Sequence, residues 1–320
     1  IEVGGTRSAA ALDAYLRATR IYFGTLHSEK ACEDAIAGYT EAIRLDAEYA
    51  MAYAARSIAA ESCDFAPSLS AARAALDKAQ RDATRAIALA PNLSEGYLAM
   101  ALVYEELLEF TRASEEYERA LLLGAGNARV LRNYGLFAVL MGRGDSGLSA
   151  LRRAVVLDPL NASAHAELGG GLIYLRRYTE ALTALRSAMA LDSNRPTLLT
   201  FMGGIYYLRG EFESARSACE QNPELDESWQ CLAMTYDKLG RHADAEIMLA
   251  KLRTKFGDNY PVGYSQIYAQ WGDTAHALNW LETAKRVHDQ ALIYLSGQLF
   301  DPLRKEPRFK AIERALEFPE

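Results

Sequence analysis

The chain has 320 residues, half of them apolar, with 42 acidic against 35 basic side chains and a net charge of −7. That balance supplies no basic face for nucleic acid or an anionic membrane surface. No apolar run reaches the ~18 residues that a membrane-spanning helix needs.

Residues 1–8 (IEVGGTRS) carry no periodicity and read as the remnant of a linker, and Ile1 in place of Met reads as a cut end. Over 9–26 the stripe Leu12, Tyr15, Leu16, Thr19, Tyr22 and Phe23 predicts a helix, and Ala35, Tyr39 and Ala42 predict its partner. A second pair opens with Tyr53 and Ser57. Its second helix returns late, at Ala79, Ala83 and Ala86, so the intervening ESCDFAPSLS predicts a longer loop followed by an extended helix. The next pairs keep an even step. They carry Tyr97, Ala101, Tyr104, Ala113, Tyr117 and Ala120, then Leu131, Gly135, Gly147, Leu151, Ala154 and Pro159. His165, Leu168, Gly169, Leu172, Ala181, Leu185 and Ala188 follow. In the sixth pair Leu199, Gly203, Tyr206 and Ala215 are followed by Gln221, Asn222 and Pro223, which cut its second helix short. Trp229, Leu232, Ala233, Tyr236, Ala245 and Leu249 mark the seventh pair, and Tyr264, Ser265, Tyr268, Ala277, Leu281 and Ala284 the eighth. Gly142, Gly210, Gly240 and Gly272 stand just past first helices, where a positive φ ends them. The closing LFDPLRKEPRFKAIERAL reads as one amphipathic helix covering the open end.

The step between Gly135, Gly169 and Gly203, and between Gly147, Ala181 and Ala215, is 34 residues, a period that belongs to stacked helical repeats. All eight second-helix positions (Ala35, Ala79, Ala113, Gly147, Ala181, Ala215, Ala245, Ala277) are Ala or Gly. Helices with nothing larger at the contact can approach at the short end of the roughly 8–10 Å packing range. On these residues the chain resembles the tetratricopeptide repeat, whose pattern runs aromatic, Leu-Gly, Tyr, then Ala, Phe, Ala, Pro. The resemblance implies an all-α, right-handed α–α superhelix of about eight helix pairs. Its array covers 9–289, in units at 16–47, 50–91, 94–125, 128–159, 162–193, 196–225, 226–257 and 258–289, and a cap follows at 290–320.

Sites of chemistry find little support. Gly142-Arg-Gly-Asp-Ser-Gly147 matches GxGxxG, but it follows a helix instead of a strand and reads as a repeat turn. His27, His165, His242, His276 and His288 fall in different units without ligand spacing, and no nucleophile signature occurs. The sequence thus predicts no catalytic, metal or cofactor-binding residue. Asn92-Leu-Ser94 and Asn161-Ala-Ser163 match a glycosylation acceptor but precede first helices, where capping is the expected use. Cys32, Cys63, Cys219 and Cys231 form no CxxC. Cys219 stands where Leu185 and Tyr117 pack in other units, so free buried thiols are expected, with a disulfide in the pairs Cys32/Cys63 and Cys219/Cys231 of adjacent units as the alternative. Free thiols suit a reducing cytoplasm, with the periplasm as the alternative.

In the repeat family named above, first helices line the concave groove. Carried over, this assigns partner binding to Arg129, Arg132, Leu136, Val139, Ile173, Tyr174, Tyr207 and Leu208, together with Ser163, Gly170, Thr200 and Gly204. Apolar residues on such a strip mark an interaction surface; the competing reading is that Tyr174 and Tyr207 merely bridge neighbouring first helices. The resemblance implies a protein or peptide segment as partner, and it leaves a homodimer open. The opening GGTRSAAALDAYLRATRIYF and the closing phrase with Phe300-Asp-Pro-Leu-Arg304 and Pro307-Arg-Phe309 are also similar to the repeat modules of bacterial signalling proteins. Those modules follow a class III cyclase or a winged-helix domain. A regulatory, non-catalytic module is the implied function; a free-standing scaffold and a small-molecule sensor using the groove are its rivals.

Overall fold

The computed structural model describes residues 3–24, 29–62, 69–193 and 195–318. Every regular element among them is helical. The helices come in antiparallel couples: α1 (Ala9–Gly24) with α2 (Glu29–Leu45), α3 (Ala50–Ser62) with α4 (Leu69–Leu89), and α5 (Ser94–Glu106) with α6 (Phe110–Leu123). Then come α7 (Ala128–Leu140), α8 (Gly144–Leu157), α9 (Ala162–Tyr174) and α10 (Tyr178–Leu191). They are followed by α11 (Thr197–Leu208), α12 (Phe212–Cys219), α13 (Asp226–Lys238), α14 (His242–Phe256), α15 (Pro261–Trp271) and α16 (Thr274–Val287). Two 3₁₀ segments (Gln290–Ser296 and Gln298–Leu303) and α17 (Pro307–Ala315) end the chain. Contacts divide it into two compact units, Ile1–Val130 and Leu131–Glu320.

The contacts of small residues hold each helix couple together. In the second unit a Cβ on Gly147 would lie 2.5 Å from the Gly135 carbonyl oxygen, and one on Gly169 would lie 2.8 Å from Leu185 Cδ2. Ala35 and Ala113 in the first unit, and Ala181, Ala215 and Ala277 in the second, are wholly buried. Where the first helix carries Ser in place of Gly, its hydroxyl finds a fixed partner. Ser57 Oγ donates to the Ala79 carbonyl at 2.8 Å, and Ser265 Oγ to the Ala277 carbonyl at 2.8 Å. Forcing a ring into this contact by Ala181→Phe should cost about 1–3 kcal/mol or more, seen as a lower unfolding midpoint of the second unit. An unchanged midpoint would place Ala181 outside the contact.

The aromatic slot at the head of the first helices has a second use. Tyr97 Oη donates to the Pro91 carbonyl at 3.0 Å and Trp229 Nε1 to the Pro223 carbonyl at 2.7 Å, while His165 Nε2 lies 3.0 Å from the Pro159 carbonyl oxygen. Each ring thereby ties the head of its helix to the end of the preceding pair. Gly142, Gly210, Gly240 and Gly272 have the positive φ expected of them, 72° to 84°. Leu108 and Arg176 take the same conformation, at φ 58° and 57°, against the steric preference of L-residues.

Several expectations change. The cysteines are not free thiols: Cys219 and Cys231 form a disulfide with Cα atoms 6.4 Å apart, and Cys32 is disulfide-bonded as well. Cys219 is nonetheless wholly buried, so burial was read correctly and the oxidation state was not. α12 ends at Cys219 after eight residues, as the Gln-Asn-Pro stop predicted. The late second helix of the second pair is α4, 21 residues long, and most of its preceding loop, with Cys63 and Pro67, lies outside the described residues, as does His27. Asn161 caps α9, its side chain accepting from the Ala164 N–H at 3.1 Å, whereas α5 starts after Leu93 without a side-chain cap, so Asn92 has no such role. The closing phrase is not one helix. Pro302 sits in the second 3₁₀ segment, and only α17 is α-helical, packing on α16 with Phe309 and Ile312 buried. The head segment read as a linker packs on the first unit. The Gly4 carbonyl accepts from Met51 N at 3.0 Å, and Thr6 Oγ1 donates to Asp46.

Candidate protein-binding face

The residues assigned to a groove separate into three environments. In the first unit, Arg129 in the first turn of α7 lays its guanidinium 4.6 Å above the Phe23 ring and 5.8 Å from that of Tyr22. In the second unit Val139 is turned away from any groove. It is 4 % exposed, and its Cγ2 would lie 2.7 Å from a Cβ on Gly147, so it belongs to the α7–α8 contact. Thr200 is likewise buried, with its Oγ1 3.1 Å from Ser228 Oγ.

A second set is engaged by the tail of the same chain. The Tyr174 ring stacks on Tyr294 at 6.2 Å, and a Cβ on Gly297 would meet it at 3.2 Å. Burial pushes its phenol pKa well above the usual value. The Ile173 and Tyr174 carbonyls, at the end of α9, accept from Gln298 Nε2 at 3.0 and 2.8 Å, and the Ile173 carbonyl accepts from Arg176 N–H as well. Tyr207, 5 % exposed, donates to Gln270 Oε1 at 2.9 Å, and Gln270 Nε2 donates to the Leu299 carbonyl at 2.7 Å. Arg176 Nη2 reaches Asp301 Oδ2 at 2.7 Å, so the residue held at positive φ also holds the tail. The 3₁₀ segments therefore cover the Ile173–Tyr174 corner, with their own Leu292, Leu295, Phe300 and Leu303 wholly buried.

A third set remains open. Leu136 and Leu208 are half-buried. Arg132 Nη1 pairs with Glu167 Oε1 at 3.1 Å, yet the buried atoms Arg132 Nε, Glu167 Oε2 and Arg195 Nη1 have no hydrogen-bond partner among the described residues. Burial raises the Glu167 pKa, while the charges of Arg132 and Arg195 pull it back down. Two glycines stand in mid-helix at the same repeat position, Gly170 one turn after Glu167 on α9 and Gly204 on α11. A Cβ on Gly170 would touch only Leu136 Cδ1, at 3.9 Å, and one on Gly204 would meet nothing within 4 Å. Gly169, Gly171 and Gly203 are explained by tight neighbours, but Gly170 and Gly204 are not. Glycine inside a helix costs about 1 kcal/mol relative to Ala, so two bare backbone surfaces at the same repeat position are left unused by the fold. Phe201, on the same helix as Gly204, is 47 % exposed.

Sequence reasoning missed Glu167, Arg195, Gln270 and Gln298. A readable signal existed for the tail: Arg176 occupies a turn position that Gly fills in four other turns. Among the described residues no three His, Cys, Asp or Glu side chains converge as a metal site, and none of the helices is long and apolar enough to cross a membrane.

Residues 97–254 match the model of the cilia and flagella-associated protein 70 middle TPR-like domain. No curated protein matches the chain by sequence. Among solved structures, PilF of Pseudomonas aeruginosa superposes at a TM-score of 0.50 with 21 % identity, over 65 % of this chain and 91 % of that one. The structure of the APC/C hetero-tetramer Cut9–Hcn1 gives 0.62 at 15 % identity, over 95 % of this chain and 55 % of the matched one. Yeast Tom70 gives 0.54 at 16 % identity, over 98 % of this chain and 69 % of its own. At such identities the likeness concerns the fold: the chain is a TPR-like, all-α array of helix pairs.

Proposed function

We propose that this array is a non-catalytic protein-interaction module, regulatory in a bacterial signalling protein of the kind its edge phrases resemble. It takes an extended segment of a partner across α7, α9 and α11. The observation that carries this reading is the pair Gly170 and Gly204, whose missing side chains serve no close contact among the described residues and leave room for another backbone to lie close. Arg132, Glu167 and Arg195 bury polar atoms without a hydrogen-bond partner among the described residues, atoms that an entering segment would have to reach by displacing their cover. Ile173, Tyr174 and Tyr207 contribute indirectly, as the corner on which the tail rests. The disulfide of Cys219 and Cys231 supports an oxidising compartment, the periplasmic alternative, over the cytoplasm.

The test is a peptide library selected on the whole chain, with the enriched peptides measured by fluorescence anisotropy. Gly170→Ala and Gly204→Ala should each raise stability by about 0.4–1 kcal/mol through helix propensity. Gly204→Leu should fold equally well and bind the selected peptides at least tenfold more weakly, about 1.4 kcal/mol. Peptides that bind the Gly204→Leu and Arg132→Ala variants as well as the parent would reject this face.

A further inference from the structure

The outward side of α4 carries charge that the rest of the chain leaves unanswered. α4 packs on α3 and α5, with Ala79, Ala83 and Ala86 buried at 0–2 % exposure. Away from that contact Lys78, Arg81 and Arg85 are exposed, and steps of three and four residues set them on one stripe of the helix. Both carboxylates of α4 are engaged elsewhere: Asp77 lies 3.9 Å from Arg73, and Asp82 is held by Arg56. Lys78, Arg81 and Arg85 themselves have no hydrogen bond or ion pair among the described residues. On other second helices Arg44, Arg119 and Arg216 each meet a glutamate three residues earlier, and the unpaired Arg153 and Arg186 stand one to a helix, on α8 and α10. Beside the stripe, Gln80, Thr84 and Ala88 line a shallow hollow together with Arg81 and Arg85. The Thr84 hydroxyl donates to the Gln80 carbonyl at 2.8 Å, so a neighbour lying over it has no donor to satisfy. Arg81 and Arg85 lie about 18 and 24 Å along the helix from its start at Leu69. That is beyond the reach of the six residues joining Ser62 to Leu69, which are tied at both ends.

We infer that this stripe docks an acidic helical segment of a partner protein, with carboxylates at the same three- and four-residue spacing. Charge complementarity selects the occupant. Like charges one turn apart repel each other on a helix, so Lys78, Arg81 and Arg85 are a cost to α4 alone that a matching row of carboxylates removes. A helix is the form that repeats carboxylates at this spacing along one side, and the small side chains of Thr84 and Ala88 let it approach closely. Three cations are too few for a nucleic-acid backbone, whose binding draws on about six to ten phosphate contacts. A chain of net charge −7 is also repelled as a whole from an extended polyanionic surface. The stripe lies wholly within the first unit, and its docking is independent of the segment-binding face proposed above.

A library of alanine-rich helical peptides, one face randomised among Glu, Gln and Lys, is selected on the whole chain and read by fluorescence anisotropy. The enriched peptides should carry Glu in three- and four-residue steps. They should bind the variant with Arg81→Glu and Arg85→Glu together at least tenfold more weakly than the parent, about the effect of setting like charges face to face. That variant should keep the parent's unfolding midpoint, because both side chains are exposed. The same peptides with Lys in place of Glu should prefer the variant to the parent. Arg153→Glu with Arg186→Glu, and separately Gly204→Leu, should leave the affinity unchanged. The inference is overturned if no acidic peptide is enriched, or if the enriched ones bind the Arg81→Glu, Arg85→Glu variant as tightly as the parent. Equal weakening by Arg153→Glu with Arg186→Glu would overturn it too, as a charge effect without a site. So would binding of phosphatidylserine vesicles through Arg81 and Arg85 in place of the peptides, which would assign the stripe to a lipid surface.

Discussion

Asp82→Ala should destabilise the first unit by about 3–5 kcal/mol, the cost of leaving a buried charge without its partner. Arg56 Nε and Nη2 each donate to one Asp82 carboxylate oxygen at 2.7 Å, joining α3 to α4, and Nη1 reaches Thr40 Oγ1 on α2 at 3.1 Å. The side chains are 11 % and 8 % exposed, so water cannot replace the lost carboxylate. Replacing both partners with apolar residues, Arg56→Met with Asp82→Leu, should recover most of the loss, because it removes the two desolvation costs together. Denaturant unfolding with hydrogen exchange on α3 and α4 reads both results. A single Asp82→Ala variant as stable as the parent would show that the guanidinium reaches solvent.

The second large effect concerns the disulfide. Replacing Cys219 and Cys231 together by Ala should lower the stability of the second unit by about 3 kcal/mol, the loop-closure contribution expected for a bridge spanning 12 residues. The bridge sits where the array is thinnest, since α12 has only eight residues with which to hold α11 and α13. It also explains Gly203. A Cβ there would lie 2.3 Å from Cys219 Sγ and 3.3 Å from Cys231 Sγ. Gly203→Ala should therefore cost roughly 1–3 kcal/mol in the oxidised parent. It should cost much less once both sulfurs are gone, a coupling that a double-mutant cycle measures. Additive losses would mean that the glycine answers to the Ala215 backbone and not to the bridge.

The helix couples were legible because their signal is periodic and local. An Ala or Gly at the second-helix contact is demanded by the distance between two adjacent helices, so Ala35, Ala113, Ala181 and Ala277 announce it without knowledge of the rest. The turn glycines are legible for the same reason, since a positive φ is a property of one residue. The candidate site was only half legible. The repeat rule assigned Gly170, Gly204 and Val139 alike to one face, but Val139 packs into the helix contact instead. Nor could spacing show that Tyr174 and Tyr207 are satisfied by residues 120 and 63 positions further on.

Residue order alone thus determined the all-α class, the 34-residue step, the early end of α12 and the place of each small contact. All of these follow from interactions within one helix or between neighbours in the chain. Tertiary structure alone decided that Cys219 meets Cys231, that Arg56 finds Asp82, and that the tail from Tyr294 to Asp301 closes over the end of α9. Those pairings depend on which side chains come face to face once helices and tail have packed, and no periodic pattern along one helix specifies such a meeting.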